Sequence, residues 1–185
     1  SRDKVDNAVT KIREQISIWQ PIKSSDSLTA IAGYWWQFVV NVEVGAVMSL
    51  MEITATESRI PMLLGTAWSA NGELIARYRS QSARYDDVNH ILHYSWEGDH
   101  PREDNLPHYF GVGEIHFRPS IDEMAFRGEG WFSSSRSSDV KEALTKSTVY
   151  VRASTEEIAT MQSTARDKRV SLIQAKLTER NQIDL

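Results

Sequence analysis

Histidine and carboxylate side chains crowd one segment of the sequence, and together they could hold a metal ion. Imidazole nitrogens and carboxylate oxygens are common protein ligands for zinc and related ions. Their spacing here follows no regular ligand pattern, and Pro101 and Pro107 mark the segment as a loop. We interpret it as a solvated loop, since charged loop residues are mostly exposed, and predict no metal site. The side chains concerned are Glu97, Asp99, His100, Glu103, Asp104 and His108.

The sequence also lacks nucleophilic and nucleotide-binding motifs. The serine run at 133–138 has no elbow-type flanking residues, and no base can be assigned to it. The glycine pairs within 111–113 and 128–130 fall inside predicted strands and not at a strand-to-helix turn, so neither is a dinucleotide fingerprint. Glycine inside a strand favours strong bending, or the close approach of a bulky neighbour or a ligand. The sequence therefore predicts no enzyme and no cofactor.

Aromatic and arginine side chains alternate along three predicted strands. Strand 73–82 carries a tyrosine on one face and two arginines on the other. Strand 90–97 carries two rings on one face, and strand 123–133 carries an arginine and a tryptophan on the same face. These residue types suit a planar, partly polar or anionic ligand, because rings stack on it and guanidinium groups bind its oxygens. The predicted ligand-binding residues are Arg77, Tyr78, Arg79, Tyr94, Trp96, Arg127 and Trp131.

The same residues have a plainer interpretation. The arginines can be ordinary exposed residues of an outer face, while the rings fill a core with their polar tips hydrogen-bonded. The face given to each side chain is itself a hypothesis, because a one-residue slip in strand register exchanges the two faces. Both interpretations stay open at the level of the sequence.

The elements that carry these residues are strands without intervening helices. The turn between two of them, Asn71-Gly72, is the strongest short hairpin signal in the chain. We expect a mainly β fold, a small eight-stranded antiparallel up-and-down barrel, because closure removes both exposed edges; a two-sheet sandwich is the alternative. A short helical turn is expected around Val140–Leu144. The predicted strands are 32–43, 47–57, 61–69, 73–82, 90–97, 109–118, 123–133 and 146–153.

Helices are predicted on both sides of the barrel. Apolar residues recur from Val5 to Trp19 at steps of four and three, which predicts a helix over 3–20 that packs on its own domain, joins a partner helix or continues one that began upstream. A second helix is predicted from Ser154 to Arg180. The expected organisation is 1–27 as helix and linker, 28–153 as barrel, and 154–185 as helix and tail.

Composition and charge indicate which partners and which cellular location to expect. A net charge of -4 gives no electrostatic reason to expect duplex nucleic acid as a partner. The chain has no cysteine and no apolar run long enough to span a membrane. It begins at Ser1 without a methionine, so we expect a piece excised from a longer protein. The predicted location is the cytoplasm, where a segment of the full-length protein could tether this domain to the inner membrane.

The start of the first strand, Gly33-Tyr34-Trp35, resembles the G-x-W signature of lipocalin-like (calycin) barrels. In that family the tryptophan closes the base of the barrel, and an arginine late in the last strand packs across it. The resemblance implies a structural closure by Gly33, Trp35 and Arg152. Trp36 would then point to the opposite face and pack against something outside the barrel wall, such as a helix.

Residues 30–153 are more closely similar to the β-barrel domain of the CD-NTase-associated transmembrane effectors of bacterial CBASS anti-phage immunity. The similarity lies in the glycine-aromatic start, Gly33-Tyr34-Trp35-Trp36, and in the number of strands. It implies a barrel that follows membrane helices, binds a cyclic dinucleotide and drives assembly at a membrane. Two departures are the missing membrane segment and the long tail after Thr155.

The sequence thus leads to a non-enzymatic sensor of a cyclic dinucleotide. Tyr78, Tyr94, Trp96 and Trp131 would stack on bases, the arginines would meet phosphates, and residues 5–19 would make a homo-oligomer. Two alternatives remain. One is a carrier or sensor of an apolar small molecule, and the other is a filled barrel that serves as a protein-interaction module.

Overall fold

A computed structural model describes residues 27–39, 48–55, 60–99, 109–119, 125–136 and 139–183 of the chain. The predicted helix over 3–20, with its apolar residues at 5–19, lies outside the described residues. The helices are α1 (Ser27–Ile31), α2 (Thr155–Gln162) and α3 (Arg166–Ile183). The strands are β1 (Gly33–Val39), β2 (Met48–Ala55), β3 (Pro61–Trp68), β4 (Leu74–Asp86), β5 (Ile91–Asp99), β6 (Tyr109–Pro119), β7 (Ala125–Arg136) and β8 (Asp139–Arg152).

The eight strands form one closed antiparallel barrel in sequence order. Each strand pairs with the next, and β1 also pairs with β8, where Trp35 lies opposite Arg152. The predicted up-and-down barrel is therefore confirmed, and the two-sheet sandwich is excluded. The predicted Asn71-Gly72 turn joins β3 to β4, and Gly72 has a φ of 72°, a conformation that glycine adopts without strain.

The barrel separates two apolar clusters. The inner cluster fills part of the lumen, and its buried residues are Ile31, Trp35, Met51, Ile53, Leu63, Leu92, Tyr94, Ile115, Phe117 and Tyr150. The outer cluster lies between the barrel wall and the C-terminal helices, and its buried residues are Trp36, Phe38, Met48, Leu50, Met161 and Ile173. Because adjacent strand residues point to opposite faces, neighbouring Trp35 and Trp36 each enter a different cluster.

The C-terminal helices are fixed to the outer wall by Trp36 and Glu157. The Trp36 Nε1–H donates to Glu157 Oε2 at 3.0 Å. Ser154 caps α2, since its Oγ accepts from the Glu157 N–H while the Glu157 carboxylate accepts from the Ser154 N–H. The start predicted at Ser154 is thus correct. Among the described helices, none has both the length and the apolar character needed to cross a membrane.

Two local predictions are wrong. The single helix predicted from Ser154 to Arg180 is two helices, because the chain leaves the helical conformation at Ser163 before α3 begins at Arg166. The helical turn predicted around Val140–Leu144 is part of β8, where Leu144 pairs with Ser134 of β7. Pairing with a neighbouring strand outweighs a local helical preference there.

Acid should weaken the attachment of the helices through Glu157. Burial raises the pKa of this carboxyl, but hydrogen bonds from Lys176, the Ser154 N–H and Trp36 outweigh burial and leave the pKa below its usual value. A lowered folded-state pKa stabilises the fold above the unfolded pKa of about 4.3, and the contribution is lost as pH falls through the folded pKa. We expect the melting temperature to fall less between pH 7 and acidic pH in Glu157→Gln than in the wild type.

The matched control is Glu156→Gln, because Glu156 is the exposed neighbour in the same helical turn. Its melting temperature should follow that of the wild type at every pH. An unchanged pH dependence in Glu157→Gln would contradict this role.

Candidate ligand-binding lumen

One end of the barrel is closed by Trp35, which is 0% exposed. Its Nε1–H donates to the Ile31 carbonyl at 2.8 Å, and the Arg152 guanidinium lies 4.5 Å from the centre of its ring. Arg152 also donates to the carbonyls of Ala30 and Ala32 at 2.6 and 2.7 Å. These bonds satisfy carbonyl groups at the end of α1, which would otherwise lack partners. The resemblance to calycin barrels implied this pairing of Trp35 with Arg152.

Gly33 gives Arg152 the space for this position. Its φ of 117° is a conformation that other residues rarely adopt, and a Cβ there would lie 2.9 Å from an Arg152 guanidinium nitrogen. The glycine, the tryptophan and the arginine therefore form one packed unit at this end. The polar and aromatic part of the lumen lies farther along the strands.

Hydrogen-bonded polar side chains cross the middle of the lumen. The Gln37 amide donates to the Tyr150 hydroxyl at 2.9 Å and accepts from the Tyr78 hydroxyl at 3.1 Å. Thr148 donates to the same Tyr150 hydroxyl at 3.1 Å, and the Tyr94 hydroxyl lies 3.5 Å from it. These groups join β1, β4, β5 and β8 across the lumen, so one network fixes the position of several rings.

The network is uncharged at neutral pH. Burial raises the pKa of Tyr78, Tyr94 and Tyr150, so all three phenols remain protonated. The buried polar side chains in the described chain are Gln37, Ser49 and Thr148, and none of them carries a charge. The middle of the lumen thus offers hydrogen bonds to a neutral group and disfavours an anion.

A row of aromatic rings follows along the wall. Trp96 lies between Tyr78 and Phe132, with ring centroids 6.1 and 5.9 Å apart and edge-to-face geometry in both pairs. The Trp96 Nε1–H is buried and has no hydrogen-bond partner among the described residues. Buried donors are normally satisfied, so this one marks a place where the described residues leave a hydrogen-bond donor for a further group.

Each of three lumen rings lies against a glycine on the neighbouring strand. A Cβ on Gly65 would lie 1.9 Å from Tyr78, one on Gly113 would lie 2.6 Å from Tyr94, and one on Gly111 would lie 2.8 Å from Trp96. At Gly111 and Gly113, where the sequence predicted the close approach of a bulky neighbour, one such neighbour is a ring of the protein itself. Because glycine has no side chain, the rings can press against the wall.

The predicted arginines do not share the lumen with these rings. Arg77 is exposed, and Arg79, whose side chain is 69% exposed, pairs with Glu97 at 2.6 Å on the outer face. Arg127 is 43% exposed and lies 3.6 Å from Glu129. Strand alternation places these cations on the outer face of the barrel and Tyr78 and Tyr94 on the inner face. The prediction that guanidinium groups and rings line the lumen together is therefore corrected.

Trp131 also lies on the outer face. It pairs in register with Glu114, whose carboxylate oxygens lie 2.7 Å from His116 Nε2 and 3.4 Å from His93 Nδ1 on the outside of the barrel. A hydrogen bond from His116 lowers the pKa of Glu114 against the opposing effect of burial, and Trp131 adds a second hydrogen bond. Of the predicted ligand-binding residues, the structure brings together only Tyr78, Tyr94 and Trp96.

Several lumen residues were missed at the level of the sequence. Gln37 and Tyr150 bind each other across 113 positions of the chain, a relation that no local pattern contains. Strand alternation could have found Tyr150 and Thr148, since they lie on the same face of β8 as Arg152. Alternation along β8 also places Lys146 on this face, where it pairs in register with Phe132. Arg152, the register partner of Trp35, lies farther along the same strand.

The fold and lumen define an eight-stranded closed barrel that is compatible with a ligand-binding, calycin-like architecture. No protein-family model, curated protein or solved structure matches the chain. Within the described residues, no group of three or more histidine and carboxylate side chains is arranged to hold a metal ion. The loop residues His100, Glu103, Asp104 and His108 lie outside the described residues.

Proposed function

We propose that this barrel is a non-enzymatic sensor that binds a cyclic nucleotide, a cyclic dinucleotide in particular, in the ring-lined part of its lumen. The observation that carries the proposal is the row formed by Tyr78, Trp96 and Phe132, in which the Trp96 indole N–H has no partner among the residues that the structure describes. Aromatic rings bind nucleobases by stacking, whatever the base. Tyrosine hydroxyls and an amide beside the row supply hydrogen bonds for base edges.

Charge decides the orientation of such a ligand. The raised pKa values of Tyr78 and Tyr150 reflect a desolvated interior in which a phosphate would be costly to bury. The bases therefore enter the lumen among the rings, and the phosphates stay nearer the open end, with Lys146 on the lumen face of β8 as the cation proposed to meet them. This orientation replaces the phosphate contacts predicted from sequence for the outer arginines.

The biological setting of the proposal comes from the resemblance to membrane-associated anti-phage effectors. In those effectors, membrane helices precede the barrel, and ligand binding to the barrel acts on this membrane segment. We propose the same direction of signalling here, with residues 5–19 as the contact between copies. The setting includes a cytoplasmic barrel tethered through a segment outside this chain.

Ligand binding should weaken when the central ring of the row is removed. In isothermal titration with a panel of cyclic dinucleotides, Trp96→Leu should bind about 5- to 150-fold more weakly than wild type, the equivalent of about 1–3 kcal/mol of stacking. Trp96→Phe, which keeps a ring, should retain most of the affinity.

Lys146→Gln should reduce the salt dependence of binding, because it removes a cation that is proposed to meet the phosphates.

The control is Arg79→Gln, since Arg79 lies on the outer face and pairs with Glu97. Its affinity should match wild type. The nucleotide proposal fails if no member of the panel gives heat or a thermal shift at low salt. Binding of neutral apolar compounds in its place, lost in Trp96→Leu, would favour the apolar carrier.

A further inference from the structure

A second concave surface lies outside the barrel, away from the lumen. It has a volume of about 460 Å³ and lies between the β3–β4 turn and the start of α3. Trp68 and Leu74 from the barrel wall and Met161 from α2 are among its lining residues. We call this surface the arginine groove, after its three arginines, Arg77, Arg166 and Arg169.

The arginine groove is strongly positive for a protein with a net charge of -4. Three guanidinium groups line it against one carboxylate, that of Glu73. In the part of the chain that the structure describes, none of the three arginines forms an ion pair with a carboxylate. Arg169 instead donates to the Ser163 carbonyl, which holds it beside the link between α2 and α3.

The position of two of these arginines at the start of α3 is unfavourable for the helix itself. The first turn of a helix carries a partial positive charge, which favours acidic residues and disfavours cations. Arg166 and Arg169 both lie in this turn, where Asp167 is the acidic residue. An anion in the groove would meet both guanidinium groups, and it would also meet Arg77 from the barrel wall.

The floor of the groove is apolar. Trp68 packs against the outer cluster that holds the helices, and Leu74 lies on the next strand at the β3–β4 turn. Gly72 in that turn contacts α3, since a Cβ on it would lie 2.6 Å from Val170. The groove is therefore built by tertiary contacts between the turn and the helix.

We propose that the arginine groove binds a phosphate-bearing anion, with the phosphate on the guanidinium groups. Planar guanidinium groups bind phosphate oxygens in a bidentate manner, and several together favour a multivalent anion. This site is separate from the proposed lumen site and does not depend on it. The same phosphate chemistry occurs in soluble compounds and in lipid headgroups.

The test uses the full chain and two sources of phosphate. The first is titration with inorganic pyrophosphate at low salt, about 20 mM, where screening is weak. The double variant Arg77→Gln/Arg166→Gln removes two guanidinium groups that make no described structural contact, and should bind at least about 10-fold more weakly. The second is sedimentation with vesicles of phosphatidic acid and phosphatidylcholine, against phosphatidylcholine alone.

Arg84→Gln is the control variant, because Arg84 is exposed on the same strand as Arg77 but lies outside the groove. If the affinity for pyrophosphate falls in the double variant and not in Arg84→Gln, a soluble phosphate ligand is supported. If binding to the phosphatidic acid vesicles falls in the double variant and not in Arg84→Gln, a lipid headgroup is supported. Absence of both, or an equal loss in Arg84→Gln, overturns the proposal. A cyclic dinucleotide lost in the double variant but kept in Trp96→Leu would support the groove and refute the lumen site.

Discussion

Replacing Trp35 with alanine should lower the free energy of unfolding by about 3–5 kcal/mol, as is typical for a large buried aromatic residue. The ring is fully buried, contacts Phe117 at a centroid distance of 5.0 Å and lies beneath the Arg152 guanidinium. Its loss would open a cavity, remove the bond to the Ile31 carbonyl and leave Arg152 without its aromatic partner. Urea denaturation followed by far-ultraviolet circular dichroism measures this change.

Trp131→Ala is the matched control, since it removes the same side chain from the outer face of β7, where the ring is partly exposed. Its cost should be clearly smaller, because less apolar area returns to water. Equal losses in the two variants would mean that Trp35 does not close the barrel as an inner core residue.

The fold could be predicted from the sequence because its signals are local. Alternating side chains, the Asn71-Gly72 turn and the absence of helices between strands all describe neighbours along the chain. The separation of Tyr78 from Arg77 and Arg79 onto opposite faces of β4 also follows from alternation alone. Closure adds the one fact that alternation lacks, namely which of the two faces is inside.

The lumen could be predicted only in part because its contacts are distant in sequence. Gln37 sits in an apolar strand, and only the pairing of β1 with β8 gives its amide the hydroxyl of Tyr150 as a partner. The sequence predicts phosphate contacts for the outer arginines because their residue type suits phosphate. Residue type indicates which chemistry is available, whereas register decides where it is placed.

Gly65→Ala should destabilise the barrel by about 1–3 kcal/mol through overpacking. A Cβ at Gly65 would lie 1.9 Å from the Tyr78 ring. The ring cannot easily move away, because Gln37 holds its hydroxyl at 3.1 Å and Trp96 packs against its edge. Alanine is otherwise the better residue in a strand, so the cost arises from this one contact.

A double-mutant cycle isolates that contact. In a Tyr78→Ala background the ring is gone, and Gly65→Ala should become neutral or stabilising by up to about 0.5–1 kcal/mol, the usual advantage of alanine over glycine. The two substitutions should therefore be strongly non-additive in urea denaturation. If Gly65→Ala costs the same in both backgrounds, the ring does not rest on the glycine. The lumen wall would then be shaped by something other than aromatic side chains packed on glycine.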